Sequence, residues 1–137
     1  LREHNNGEAA NMSFVEAQER FPDVFDQPWL IDDRPFPGSE SGREFYARVG
    51  AFFDDLSADG RVHIAVSHGA AIVCLIARWL MLTPESLEPI GFSAHTTGIT
   101  CLTRDRFGGP VIERMNDVAH LAGIEGWVGL DRLLTSL

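Results

Sequence analysis

Behind Ser13, apolar side chains return at helical intervals: Phe14, Ala17 and Phe21, with Gln18 between them. Ser13 and Glu16 stand at capping-box spacing, so a first helix is expected over 13–21, stopped by Pro22. Pro22, Pro28, Pro35 and Pro37 with interspersed Asp make 22–38 a long surface loop. A second capping box, Ser41 with Glu44, opens a helix whose apolar face carries Phe45, Val49, Phe52, Phe53 and Leu56 and which Asp59-Gly60 ends.

The rhythm then changes. Residues 61–66, RVHIAV, form a short β-branched run that enters Ser67-His68-Gly69 without a linker and continues as an apolar helix over 70–82. A strand apolar on both faces feeding a helix apolar nearly all round describes the centre of an α/β sheet. Thr83 with Pro84 starts a further short helix, Thr83 as cap and Pro84 at the first helical position. Two strands, 97–103 and 111–116, flank a loop containing Gly108-Gly109 and are expected to form a hairpin. Leu130, Leu133, Leu134 and Leu137 make one apolar stripe on a final helix or tail. A helix-covered sheet needs more than the three strands counted here, and the strand before His68 needs neighbours, so something is expected upstream.

Length and composition narrow the classes. The 137 residues suit one domain with one core. Eleven Lys and Arg against 20 Asp and Glu leave a net charge of −9, which argues against a nucleic-acid or anionic-membrane partner. Cys74 and Cys101 lie in apolar runs and form no CxxC pair, so both are expected as buried, reduced thiols in a cytoplasmic protein. The longest apolar stretch is interrupted by Arg78 and falls short of the roughly 20 residues that span a bilayer. The opening Leu1-Arg2-Glu3-His4 has no apolar signal core, and a start at Leu1 is expected of a chain that was cut, processed or begun internally.

Candidate chemistry concentrates at Ser67-His68-Gly69-Ala70. A strand-to-helix junction aims backbone N–H groups and the positive helix end at one point, where His68 also projects, and that geometry suits phosphate. A histidine at a strand end is more often structural than catalytic, so the tripeptide needs support from elsewhere in the chain. Arg2-Glu3 beside Asn5-Asn6-Gly7 lies in a loop, where Glu3 is either a solvated charge or, if burial raises its pKa, a proton donor. Ser39-Glu40-Ser41 reads as helix capping. His4, His63, His95 and His120 show no i, i+4 pairing, so no metal site and no cofactor are expected. Trp29, Leu30, Ile31, Arg34 and Phe36 could form a lid or specificity wall, or pack under their own loop.

Taken in order, LRE-H-NNG, the Pro-rich loop into Pro37-Gly38-Ser39-Glu40-Ser41 with Arg48 downstream, VSHGAA, TTGIT and NDVAHL resemble the histidine phosphatase superfamily, the phosphoglycerate mutase-like fold. The likeness runs from Leu1 to about Leu121. It implies a three-layer α/β/α domain with a mostly parallel sheet, and a metal-independent reaction through a phosphohistidine. It further implies that Glu3 protonates the leaving oxygen, that His68 clamps the phosphoryl group, and that Arg2 lies in the substrate-facing loop. Ser67, Gly69 and Ala70 would complete the phosphate pocket. No Arg-His-Gly, the family's nucleophile motif, occurs in these residues, and an arginine that would precede the Glu loop is also absent. The chain is therefore expected to be the C-terminal part of a family domain, incomplete at its N-terminus, with 122–137 as a tail or short helix.

Arg2-Glu3-His4-Asn5-Asn6-Gly7 departs from the Glu-Arg-His-Tyr-Gly stretch of the mutases, which favours a phosphatase acting on a small phosphorylated metabolite. Two other classes stay open: a non-catalytic module binding phosphate, and an assembly in which a homodimer partner or a separate N-terminal segment supplies the missing strand. The apolar tail around Trp127, Val128, Leu130, Leu133 and Leu137 would serve such a dimer or pack on its own domain.

Overall fold

The computed structural model describes residues 1–124. A short 3₁₀ turn, Gly7–Ala9, follows the N-terminal segment, and α1 (Phe14–Arg20) starts from the capping box Ser13/Glu16, with both reciprocal hydrogen bonds made. Pro22 does not merely stop that helix. It is the first residue of a one-turn helix, α2 (Pro22–Phe25), because a missing N–H costs nothing at that position. The expected continuous loop over 22–38 is corrected to that extent.

Helix α3 (Gly42–Ser57) is capped by Ser41 and Glu44, again reciprocally, and α4 (Gly69–Trp79) runs against it. Their contact is the core: Phe45, Tyr46 and Val49 of α3 meet Ala71, Cys74 and Ala77 of α4, with Leu1, Leu75, Leu82, Leu87 and Phe92 around the edge. The alternation of large residues on one helix with small ones on the other lets the axes approach closely. Tyr46 closes the far end by donating its hydroxyl to the carbonyl of Leu82 at 2.6 Å. Helix α4 ends at Trp79, short of the expected 82, and the 3₁₀ turn Pro84–Leu87 forms without a side-chain cap from Thr83.

The hairpin is present as β1 (Ile99–Arg104) and β2 (Pro110–Asp117), paired antiparallel with irregular register around Cys101. It is tied to α4 by Trp79, whose indole N–H donates to the carbonyl of Val111 at 3.0 Å while the Arg104 guanidinium lies 4.6 Å over its ring. Cys74 is buried, as expected; Cys101 is exposed, because alternate residues of β1 face outward.

The main departure concerns 61–66. No strand forms there; these residues are exposed, and Val62, Ile64 and Val66 reach 97%, 93% and 90% exposure. Among the described residues β1 and β2 are the only strands, so the sheet is two-stranded and antiparallel. A strand is stable only with a neighbour to share its N–H and C=O groups, and among the described residues no strand pairs with 61–66. The described residues thus combine helices with a small sheet. Among them no helix is long and apolar enough to cross a membrane. The expected C-terminal stripe of leucines, and Trp127 and Val128 with it, lies outside the described residues.

Candidate active site

The first seven residues form a strap over the ends of α3 and α4. Gly7, at φ +53°, turns the strap under the 37–39 segment so tightly that a Cβ would lie 2.1 Å from the carbonyl oxygen of Pro37. From there the strap is held by a pair of side chains. Arg48 of α3 makes a two-pronged contact with Glu40, at 3.1 and 2.6 Å, and also donates to the carbonyls of Arg2 and Glu3 at 3.4 and 3.3 Å. Glu40 in turn accepts the N–H of Asn5 at 2.8 Å, while its own N–H donates to the carbonyl of Asn5 at 3.1 Å. The Arg48 hydrogen bond holds the Glu40 carboxyl below its ordinary pKa, with the Asn5 N–H helping and burial opposing.

At the other end of the strap, Ser67 donates its hydroxyl to the carbonyl of Leu1 at 3.1 Å. Glu3 reaches the first turn of α4: one carboxylate oxygen accepts the N–H of Ala70 at 3.0 Å and the other accepts the N–H of His4 at 2.9 Å. A negative charge on an open helix N-terminus is stabilised by the unpaired N–H groups and the helix dipole. His68 is the N-cap residue of this same helix, extended in backbone and exposed, and its side chain makes no capping bond.

The residues singled out from the sequence therefore divide. Glu3, Ser67, His68, Gly69 and Ala70 come together at one helix end. Arg2 joins them only through its backbone; its side chain is exposed and forms no ion pair among the described residues. The Ala70 N–H, expected to face phosphate, is engaged by Glu3. Among the described residues no group of three or more His, Cys, Asp or Glu could hold a metal ion.

Sequence reasoning missed Glu40 and Arg48 as a unit. Ser41 does cap α3, but Glu40 beside it holds the strap instead. The available signal was Arg48 itself, three residues after Phe45 on the inward face of α3, where a charge needs a partner. Of the loop expected either as a lid or wall or as packed under itself, Ile31 is buried, its N–H donating to Glu88 at 2.9 Å and its carbonyl accepting the N–H of Arg43 at 2.8 Å, while Trp29 and Leu30 stay exposed. Arg34 pairs with Glu44 and with the carbonyl of Ser39.

Compared with known families, residues 1–118 match the model of the histidine phosphatase superfamily, branch 1. No curated protein matches the chain.

Proposed function

Because this chain belongs to the histidine phosphatase superfamily, we propose that it serves the hydrolysis of phosphomonoesters through a phosphohistidine, with Glu3 and His68 on either side of the transferring phosphoryl group. The observation that carries this is the seating of the Glu3 carboxylate on the first turn of α4, next to the residue that caps it, His68. Membership alone leaves phosphatase and mutase-type transfer both available; the Arg2-Glu3-His4 stretch favours hydrolysis.

In this scheme substrate phosphate takes over the Ala70 N–H, and Glu3 takes up a proton as it is displaced from that helix end. A histidine nitrogen attacks phosphorus as the ester P–O bond breaks, and Glu3 gives that proton to the departing oxygen. His68, with the N–H of Gly69, donates hydrogen bonds to the phosphoryl oxygens, whose charge they offset. Arg2 would swing toward the same oxygens from its exposed position. Water then cleaves the P–N bond, its proton returning to Glu3. Arg-His-Gly does not occur in these 137 residues, so the attacking histidine is supplied from outside them. A strand arriving with that histidine also accounts for the open run 61–66: paired, it would become the central strand of a three-layer α/β/α domain. The substrate would be a small phosphorylated molecule, without nucleic acid, membrane, metal or cofactor.

The test uses the protein expressed from its complete reading frame. His68→Ala should lower turnover of an aryl phosphate by 10²-fold or more, on the order expected for loss of a charge-stabilising donor, and leave the unfolding midpoint in place, since His68 is exposed and makes no capping bond. Unchanged turnover would remove His68 from the site. Tight phosphate binding with no turnover in the unaltered protein would favour the phosphate-binding module instead.

A further inference from the structure

The side chain and the backbone of Glu3 answer to different helices. The carboxylate rests on α4 through the N–H of Ala70. The backbone on either side of it is tied to α3. Arg48 donates to the consecutive carbonyls of Arg2 and Glu3, and Glu40, which Arg48 grips through two nitrogens, engages both the N–H and the carbonyl of Asn5.

All three guanidinium nitrogens of Arg48 are used in this way, on one carboxylate and two carbonyls. A planar fork with five N–H donors can serve such a set of acceptors at once, which a point charge on a flexible stem cannot. The fork is also held from behind, since its central carbon lies 5.0 Å over the ring of Phe45, a buried residue of the α3/α4 core. The strap thus takes its position from the core through a single side chain.

That division matters once phosphate displaces the carboxylate from Ala70. With the backbone pinned at Arg2, Glu3 and Asn5, the swing of the acid is confined to the side-chain torsions of Glu3, and it stays within one side chain's reach of the leaving oxygen. In a loose strap the backbone torsions would join in, and the acid would spend less of its time in line for proton transfer. We infer that Arg48 is a positioning residue for phosphoryl transfer, fixing through the carbonyls of Arg2 and Glu3 and through Glu40 the pivot from which Glu3 delivers its proton. The inference rests on the phosphomonoester reading, and Arg48 acts in it through Glu3 alone.

The experiment compares kcat/KM for an alkyl phosphate and for nitrophenyl phosphate in the complete protein, because kcat/KM reports transfer from the ester and leaves out the later hydrolysis of the phosphoenzyme. Arg48→Met should lower the alkyl value about 10²-fold, the scale of roughly an ångström's misplacement, and the nitrophenyl value far less, since nitrophenolate leaves without a proton. A purely structural loss removes active molecules and lowers both values alike. Arg48→Lys keeps a charge against Glu40 without the fork, so it should stay folded and show the same selective loss at smaller size. In a Glu3→Gln background, where that proton is no longer delivered, Arg48→Met should lower the alkyl value no further. Equal losses for the two esters in both Arg48 variants, or an undiminished Arg48→Met effect in the Glu3→Gln background, overturn the inference and leave Glu3 as the acid. If Glu3→Gln itself slows both esters alike, the acid reading falls and the positioning role falls with it.

Discussion

The carboxylate of Glu3 accepts the N–H of Ala70 at 3.0 Å, across 67 residues of sequence. An acid from the strap thereby occupies the open end of α4, a helix with no acidic residue in its own first turn. Glu3→Gln keeps the shape and an acceptor oxygen but removes the charge. It should cost about 0.3–1 kcal/mol of stability, the usual scale for a charge at a helix terminus, measured by urea unfolding. In the proposed phosphoryl-transfer reaction the same substitution should slow poor leaving groups by about 10²-fold or more and good ones far less. Equal losses for alkyl and nitrophenyl phosphates would deny Glu3 the role of acid.

Arg48 and Glu40 should behave as one unit. Arg48→Met leaves Glu40, with 12% of its side chain exposed, holding only the Asn5 N–H, and should cost about 1–3 kcal/mol. Adding Glu40→Gln should cost less than the sum of the single changes, with a coupling of about 0.5–3 kcal/mol in a double-mutant cycle. Strict additivity would mean that the strap is held by something else.

Acid should loosen the strap. The folded pKa of Glu40 is depressed, chiefly by Arg48, so its contribution is complete above the unfolded carboxylate value near 4.3 and is lost as pH falls through the folded value. Asp59, held down to about 2 by Arg61 and His63, acts in the same direction and extends the loss toward pH 2. Urea midpoints measured from pH 7 downward should therefore stay level and then fall below about pH 4.5, less steeply in Glu40→Gln. A midpoint that rises on acidification would contradict the assignment.

Gly7→Ala should be among the most damaging small substitutions. The new methyl meets the Pro37 carbonyl and the residue must keep a positive φ, so a loss above about 1 kcal/mol is expected in thermal unfolding. Gly60→Ala, at φ +68° with open space around it, isolates the conformational part of that cost and should be milder.

What could be read from the sequence was what neighbours in sequence decide. Both capping boxes form, α3 presents the stripe through Phe45 and Val49, and the two strands around Gly108-Gly109 pair, because each rests on contacts a few residues apart. Pro22 was ambiguous, since proline both ends one helix and begins another. RVHIAV has strand composition but not strand structure, because composition supplies no partner for its backbone. Of the proposed site, only the tripeptide Ser67-His68-Gly69 at the start of α4 was legible, because those residues are neighbours in sequence. The Glu40–Arg48 clamp required knowing which distant segments meet.

The bare run 62–66 also governs how this polypeptide behaves in a tube. Drawn straight, Val62, Ile64 and Val66 fall on one side, paired with no described strand, and Asp59 with its partners Arg61 and His63 sets the charge at one end. Such a stretch templates its own copies, so clumping should accelerate steeply with concentration and be slowed by a short peptide that pairs with the run. Replacing Ile64 by Lys would serve as a gatekeeper, trading nothing in the α3/α4 core for a chain that stays dispersed.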